Sequence, residues 1–379
     1  MKKIIALLLA LIMVFSMVAC GNTNTPADPS TPVSQNPAES NKPVESDKPV
    51  ENDPVEPSQP VEELNNKVVE YYMGKANEVK VTDTHVIFTD DGSGEEMSIE
   101  KNPEKVAVLF GSLACLWYEA GGTVQLAVGG KSASTTYKEQ IGHDITEDEG
   151  VMVVAESSSG ANWDVELILA QNPDLIVVST GMKGYSTISG PAAAAGIPVI
   201  GINYDAVQDY LKWFKVFCNL NGQPELWDNI ADATAQDIIS IVSKVPEVEK
   251  APTAVILVLS SDVLKAYTYD SQPGVILAEL GGVNLVDPNK EGSAASVEIS
   301  MEDLFALDPD MILLSEFGNT TLDTLKDLYG EDPVWQALRA VQEGNLYNLP
   351  KVLFHNKANK LYNESYRLMA EILYPDVEF

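Results

Sequence analysis

From residue 84 onward, short unbroken apolar runs alternate with stretches whose apolar positions recur at helical spacing. A run without polar alternation suits a strand covered on both faces, and helical spacing marks one buried face of a helix. Thr84–Thr89 and Glu95–Ile99 flank Asp-Asp-Gly-Ser-Gly and predict an opening hairpin. Lys105–Phe110 reads as a buried strand, Ser112–Ala120 as a helix stopped by Gly121 and Gly122, and Gln125–Val128 as a second strand. A loop rich in Asp, Glu, Ser and Gly comes next. A helix containing Ala192–Ala195 and a strand Ile197–Ile202 close this half.

One αβ unit occurs twice. Glu166-Leu-Ile-Leu-Ala-Gln-Asn-Pro-Asp-Leu-Ile-Val-Val-Ser179 returns 136 residues later, without a gap, as Glu302-Asp-Leu-Phe-Ala-Leu-Asp-Pro-Asp-Met-Ile-Leu-Leu-Ser315. Each copy reads as a short helix, a turn and a buried strand. Asp164 and Ser300 are placed to N-cap the helices, and the Pro-Asp pair ends them. Between the copies, Val207, Tyr210, Leu211, Phe214 and Phe217 share a helical face, Asn221-Gly-Gln-Pro breaks that helix, and a second runs from about Glu225 to Lys244. At about 1.5 Å per residue the second is roughly 30 Å long, enough to join two lobes as a spine or to lie on one domain as a surface helix. Ala254–Leu259 and Val263–Tyr269 restart the strands, with helices at Gly274–Leu280, Thr321–Tyr329, Val334–Val341 and Asn359–Leu373 and a strand at Leu346-Tyr347. The alternation predicts an α/β fold of two lobes, residues 67–205 and 250–379, each a mainly parallel sheet covered by helices, connected through residues 206–249.

The N-terminal residues follow a different pattern. Lys2 and Lys3, an apolar run from Ile4 to Val18 and Ala19 form an export signal over residues 1–19. Met-Val-Ala-Cys before Gly21 resembles a bacterial lipobox, which makes Cys20 the lipidated mature N-terminus. Gly21–Glu63 holds nine prolines and nine acidic residues, with Pro-Val-Glu at 43–45, 49–51 and 54–56. Residues 20–66 therefore read as an extended tether. Cys115 and Cys218 lie in apolar, helix-like surroundings that suit core thiols.

A formal charge of −32 with only two arginines, Arg339 and Arg367, excludes a nucleic-acid partner and disfavours a polyanionic ligand. No Gly-x-Ser-x-Gly elbow, Walker loop or His-Glu-x-x-His pair is present, and three histidines are too few and scattered for a His-rich metal site. Neither a metal nor a cofactor is expected. A two-lobed α/β chain places its ligand at the carboxyl ends of its strands. The loops there offer Phe110, Ser112, Trp117, Lys131, Trp163, Met182, Lys183, Tyr185 and Tyr204 in the first lobe. The second offers Ser260, Tyr267, Tyr269, Ser293, Glu316, Phe317, Asn319, Phe354 and His355. Aromatics with isolated polar groups suit a bulky, partly apolar ligand. His355 is a candidate for a haem iron or a bound chelate, against the plainer reading of a loop histidine. Glu166 and Glu302 gain from the helix dipole wherever they stand, and as matched carboxylates on equivalent lobes they can also serve as handles for an arginine-bearing partner.

Asn102-Pro-Glu-Lys-Val-Ala-Val-Leu, the two repeat segments and the closing Ile372-Leu-Tyr-Pro resemble the helical-backbone substrate-binding proteins of ABC importers for iron-siderophore, haem and cobalamin. The resemblance runs from about Val79 to the C-terminus. It implies one long rigid helix joining the lobes, small closure, a monomer, and an extracytoplasmic, lipid-anchored protein of a Gram-positive bacterium. The implied partners are a small metal chelate and a permease dimer with a cytoplasmic ATPase, docked through Glu166 and Glu302. An Fe(III)-siderophore is the expected ligand, with cobalamin or haem as the alternative. A surface-anchored enzyme or adhesion module is the reading from another class.

Overall fold

The computed structural model describes residues 59–379 except 205, 261, 262, 287–293, 319 and 356–359. The export signal, Cys20, the tether up to residue 58, Ser293 and Asn319 lie outside the described residues. Described structure opens with a helix, Gln59–Asn77, which begins within the segment read as tether and runs into the one read as the first lobe. A small antiparallel sheet follows, β1 (Lys80–Val81), β2 (His85–Thr89) and β3 (Glu96–Glu100), in which β2 and β3 form the expected hairpin.

Five strands then build a wholly parallel sheet: β4 (Val106–Val108), β5 (Leu126–Val128), β6 (Met152–Ala155), β7 (Leu175–Ser179) and β8 (Val199–Ile202). Their order is β6-β5-β4-β7-β8. β4, β5 and β7 are buried throughout except for Ser179, as unbroken apolar runs demand. The second sheet holds β9 (Thr253–Ser260), β10 (Val263–Tyr267), β11 (Val283–Asn284), β12 (Ser296–Glu298), β13 (Met311–Ser315) and β14 (Leu346–Leu349). Its order is β12-β10-β9-β13-β14, with β11 also on β9. β9, β11, β13 and β14 are parallel, while β10 and β12 run antiparallel on one flank.

Between the sheets stands Val207–Leu220, a helix buried on almost every side. After it, Pro224–Leu226, a π-helical turn Trp227–Asp232 and Ala233–Ser243 continue one another, so the second connecting helix exists at the expected place and length. Its Asp237 carboxylate takes the Arg367 guanidinium through both oxygens (2.8 and 2.9 Å), which fixes the C-terminal helix Tyr362–Leu373 against it. The helix Gln59–Asn77 crosses the same region. Tyr71 and Tyr72 each donate to the buried Glu279 carboxylate at 2.7 Å, Tyr366 donates to it as well, and Lys215 donates to the Ala76 carbonyl at 2.9 Å.

One apolar core runs from the first sheet through Val207–Leu220 to Ile256 and Leu313 on one face of the second. Val255, Leu257, Ile312 and Leu314, which alternate with them, bury the other face against Leu304, Leu325 and Trp335. Cys115 and Cys218 are free and buried in the first core.

Both copies of the repeat fold as the same unit. Asp164 accepts from the Leu167 N–H and Ser300 from the Asp303 N–H, so both caps form as expected. The turns match too: Asn172 and Asp308, each before its proline, are left-handed, a conformation these residues tolerate. The aspartate after each proline then ties the new strand to its central neighbour. Asp174 Oδ2 accepts from the Glu104 and Lys105 N–H groups (3.0 and 2.8 Å), beside the start of β4. Asp310 Oδ2 accepts from the Thr253 N–H and hydroxyl (2.9 and 2.7 Å), at the start of β9.

Candidate functional site

The carboxyl ends of the parallel strands carry the loops that the sequence marked. At β4, Phe110 stands at the N-terminal boundary of the helix Gly111–Glu119 without a side-chain capping bond, and both Phe110 and Ser112 are half-buried. β5 turns sharply at Gly129-Gly130 into the helix Gly130–Ile141, whose exposed Lys131 lies in the first turn. Gly130 has φ +79° and passes so close to the Glu156 carbonyl that a Cβ would lie 2.4 Å from it, so only glycine serves there. Met182 and Lys183, both exposed, begin the helix Lys183–Ala194 after β7.

Trp163 is the best-built of these positions. Its indole N–H donates to the Ser157 carbonyl (2.7 Å), and its ring lies so tightly on Gly184 that a Cβ there would sit 2.2 Å from the ring. The Gly184 N–H in turn donates to the Ser159 carbonyl (3.2 Å). Trp163 thereby lines a cavity of about 480 Å³ with Val153, Glu156, Ser157, Asn162 and Asp164. The volume is in the range of small-molecule sites.

On the second sheet, Ser260 ends β9, Glu316 and Phe317 follow β13, and the helix Lys351–Phe354 with His355 follows β14. The Tyr267 hydroxyl lies 3.3 Å from His355 Nδ1, and Phe317 meets the His355 ring edge-on at 4.8 Å. Burial pushes the Tyr267 phenol up, with the Ser315 hydroxyl opposing. Tyr267, Phe317 and His355 thus form one cluster. Lys351 bridges the lobes, its Nζ 2.8 Å from Glu139 on Gly130–Ile141.

Three proposed contacts take other roles. Trp117 is fully buried, donates to the Thr123 carbonyl (3.0 Å) and packs edge-on against Phe217 at 4.9 Å, so it belongs to the core. Its helix starts at the carboxyl end of β4 and has carried the side chain toward the opposite edge by that position. Tyr204 is buried, and burial together with the neighbouring Tyr362 pushes its phenol well up, so it belongs to the core. Tyr185 is half-buried and wedged between Gly92 of the hairpin and Gly201 of β8. Phe354, from the wider set, is buried as well.

Glu166 and Glu302 are exposed in the first turns of Val165–Ala170 and Met301–Leu307. Neighbouring Asp164 lines the same cavity as Glu156, at the carboxyl end of β6. In the second lobe, Ile299 donates to the Leu264 carbonyl, which puts Ser300 level with the β9–β10 turn at the carboxyl end of β9. Both glutamates therefore stand at the rim of the cleft.

Two α/β lobes, a connecting helix and a cleft at the strand ends accord with the periplasmic binding protein profile, which matches residues 106–353. The chain belongs to the periplasmic binding protein family. The iron-uptake system-binding protein of Bacillus subtilis is similar, 26% identical over 188 residues, or 48% of this chain and 57% of that protein. The Fe(3+)-citrate-binding protein of the same bacterium is 23% identical over 70% of this chain and 78% of its own length. The vitamin B12 binding protein of Vibrio cholerae shares the fold, with a TM-score of 0.56 at 16% identity over 72% of this chain and 97% of that one. Sequence reasoning misses Glu156 because β6 lies in the stretch whose Asp, Glu, Ser and Gly content predicts a loop. The signal for the repeat aspartates was their identity in both copies.

Proposed function

We propose that this periplasmic binding protein is the extracytoplasmic capture component of an ATP-driven importer, not an enzyme, and that its cargo is an Fe(III) chelate of siderophore type. It binds the chelate between the Trp163 pocket and the Tyr267, Phe317 and His355 cluster, then presents it to a permease. Glu166 and Glu302 are the docking handles, lipid on Cys20 is the membrane anchor, and residues 1–19 and 20–58 are the export signal and tether. The observation that carries the reading is the duplicated, N-capped helix that sets an exposed glutamate at the cleft rim of both lobes. The names of the two Bacillus relatives support iron as the cargo. The test is a titration with a ferric trihydroxamate, cobalamin and haemin, followed by tryptophan fluorescence. The ferric chelate quenches the wild type and loses most of that quenching in Trp163→Phe, while Glu166→Ala with Glu302→Ala abolishes uptake and leaves binding intact. Quenching by cobalamin or haemin alone would replace the iron assignment, and full uptake by the double variant would remove the docking role.

A further inference from the structure

We infer that the cleft selects iron chelates without net negative charge, and that Glu156 in the Trp163 pocket receives a cationic arm of the ligand. The inference rests on the iron-chelate reading above and adds the charge class of the cargo.

The argument starts from where the cations are spent. Recognition of a multiply charged anion relies on guanidinium forks, which meet carboxylates and similar groups through two bonds at once. Arg339 is held by Asp308 (3.3 Å), the Asp308 carbonyl (2.9 Å) and Asp310 (2.9 Å) at the amino end of β13. The cleft lies at the other end of that strand, about 15 Å away at roughly 3.3 Å per residue. Arg367 is committed to Asp237 and to the Phe379 carbonyl beside the connecting helix. Neither fork reaches the cleft. Lys212 is buried on Asp91 (2.6 Å) and the Thr89 carbonyl (2.7 Å), and Lys351 is paired across the lobes with Glu139. Lys360, on the segment after His355, is held 3.8 Å from Glu119. Among the described residues, Lys131 and Lys183 are the further exposed cations on the cleft loops.

Against these stand Glu156 and Asp164 in the Trp163 cavity and Glu316 after β13. The chain's charge of −32 adds a field that slows the approach of any anion and speeds that of a cation. Asp164 is occupied as a helix cap, whereas Glu156 is exposed on the cavity wall that it shares with the Trp163 ring. A carboxylate beside an aromatic ring suits an ammonium through ion pairing and cation–π attraction together. The Fe(3+)-citrate-binding relative is named for an anionic complex, so this chain would differ from it in cargo.

The test uses the full-length protein and four ferric probes. One is a linear trihydroxamate complex with a terminal ammonium, and the second is the same complex with that amine acetylated and therefore uncharged. The others are ferric dicitrate and a ferric tricatecholate, both anionic. Affinities are measured calorimetrically at low and high salt. The ammonium form should bind about tenfold tighter than the acetylated form at low salt, and the advantage should shrink as salt rises. Glu156→Gln, with its thermal transition checked for folding, should bring that ratio to about one. The anionic complexes should bind at least ~100-fold more weakly than the uncharged form. An anionic complex bound as tightly as the uncharged one, or an ammonium preference that survives Glu156→Gln, overturns the charge assignment alone. Failure of all four probes to bind overturns the iron-chelate reading beneath it.

Discussion

Replacing Asp310 with alanine removes the carboxylate that joins β13 to β9, and the two copies of the repeat provide an internal control. Asp310 accepts from the Thr253 N–H (2.9 Å), the Thr253 hydroxyl (2.7 Å) and Arg339 Nη1 (2.9 Å), with its side chain 23% exposed. Hydrogen bonds to a charged group contribute about 1.5–3 kcal/mol each when well buried. Discounted for exposure and for water replacing part of the loss, the sum is about 3–4 kcal/mol. Asp174, its counterpart, is exposed and accepts from two N–H groups without a guanidinium, so alanine there should cost only about 1–2 kcal/mol. The pH dependence has a definite sign. Burial raises the Asp310 pKa, but the Thr253 hydroxyl and N–H and the Arg339 guanidinium outweigh it and hold the carboxyl well below the usual range. The folded-state pKa is depressed, so its stabilisation is complete above the unfolded value of about 4 and lost as pH falls toward the folded one. Urea unfolding followed by far-UV circular dichroism at pH 7 and in steps below pH 4 measures both effects. A loss under about 1 kcal/mol in Asp310→Ala, or an equal loss in Asp174→Ala, would refute the reasoning.

Other expectations follow from the buried polar groups and the interlobe contacts. Tyr72→Phe deletes one of three phenol donors to Glu279 and should cost about 1–2 kcal/mol, seen as faster amide exchange across Gln59–Asn77. Burial, opposed by Lys360, pushes Glu119 up to about 7. The stability linked to this group is therefore fully present below the unfolded pKa of about 4.5 and lost as pH rises through the folded value; Glu119→Gln should flatten that slope, worth roughly 3 kcal/mol, in denaturation curves across the range. Lys351→Met breaks the pair with Glu139 and should weaken lobe contact by about 0.5–1 kcal/mol, detected as a larger radius of gyration in small-angle scattering of the ligand-free protein.

The sheet strands and repeat caps were legible because each rests on local signals: an unbroken apolar run, or a short polar residue before a helix. Tertiary partners hid the rest. The sequence of Gly130–Ile141 predicts a loop because only Ala133 and Tyr137 are buried, and the Tyr137 hydroxyl gains its partner, the Val128 carbonyl at 2.7 Å, only once β5 is in place. Gln59–Asn77 continues a Pro-Val-Glu composition and shows no strong apolar stripe, and its anchors Tyr71 and Tyr72 find their acceptor more than 200 residues away. The cleft was legible as a set of loops but not as a set of contacts. Phe110 and Trp117 belong to one short segment, yet seven residues of helix separate a strand's carboxyl end from the opposite edge of its sheet.

The repeat now divides into two ends with different tasks. At one end the aspartate after the proline fixes the strand to its neighbour; at the other, the capped first turn holds a glutamate at the rim. Because cap, left-handed turn and aspartate are rigid links, each glutamate moves with its own sheet and not with the mobile ends of cleft side chains. In the proposed docking role, a permease that grips both carboxylates therefore senses how the lobes are set, and cargo can influence docking only by changing that setting. Variants of Glu156 or Trp163 should then alter affinity without altering the docking surface, whereas Asp310→Ala, remote from cargo, should disturb docking by loosening the sheet that carries Glu302.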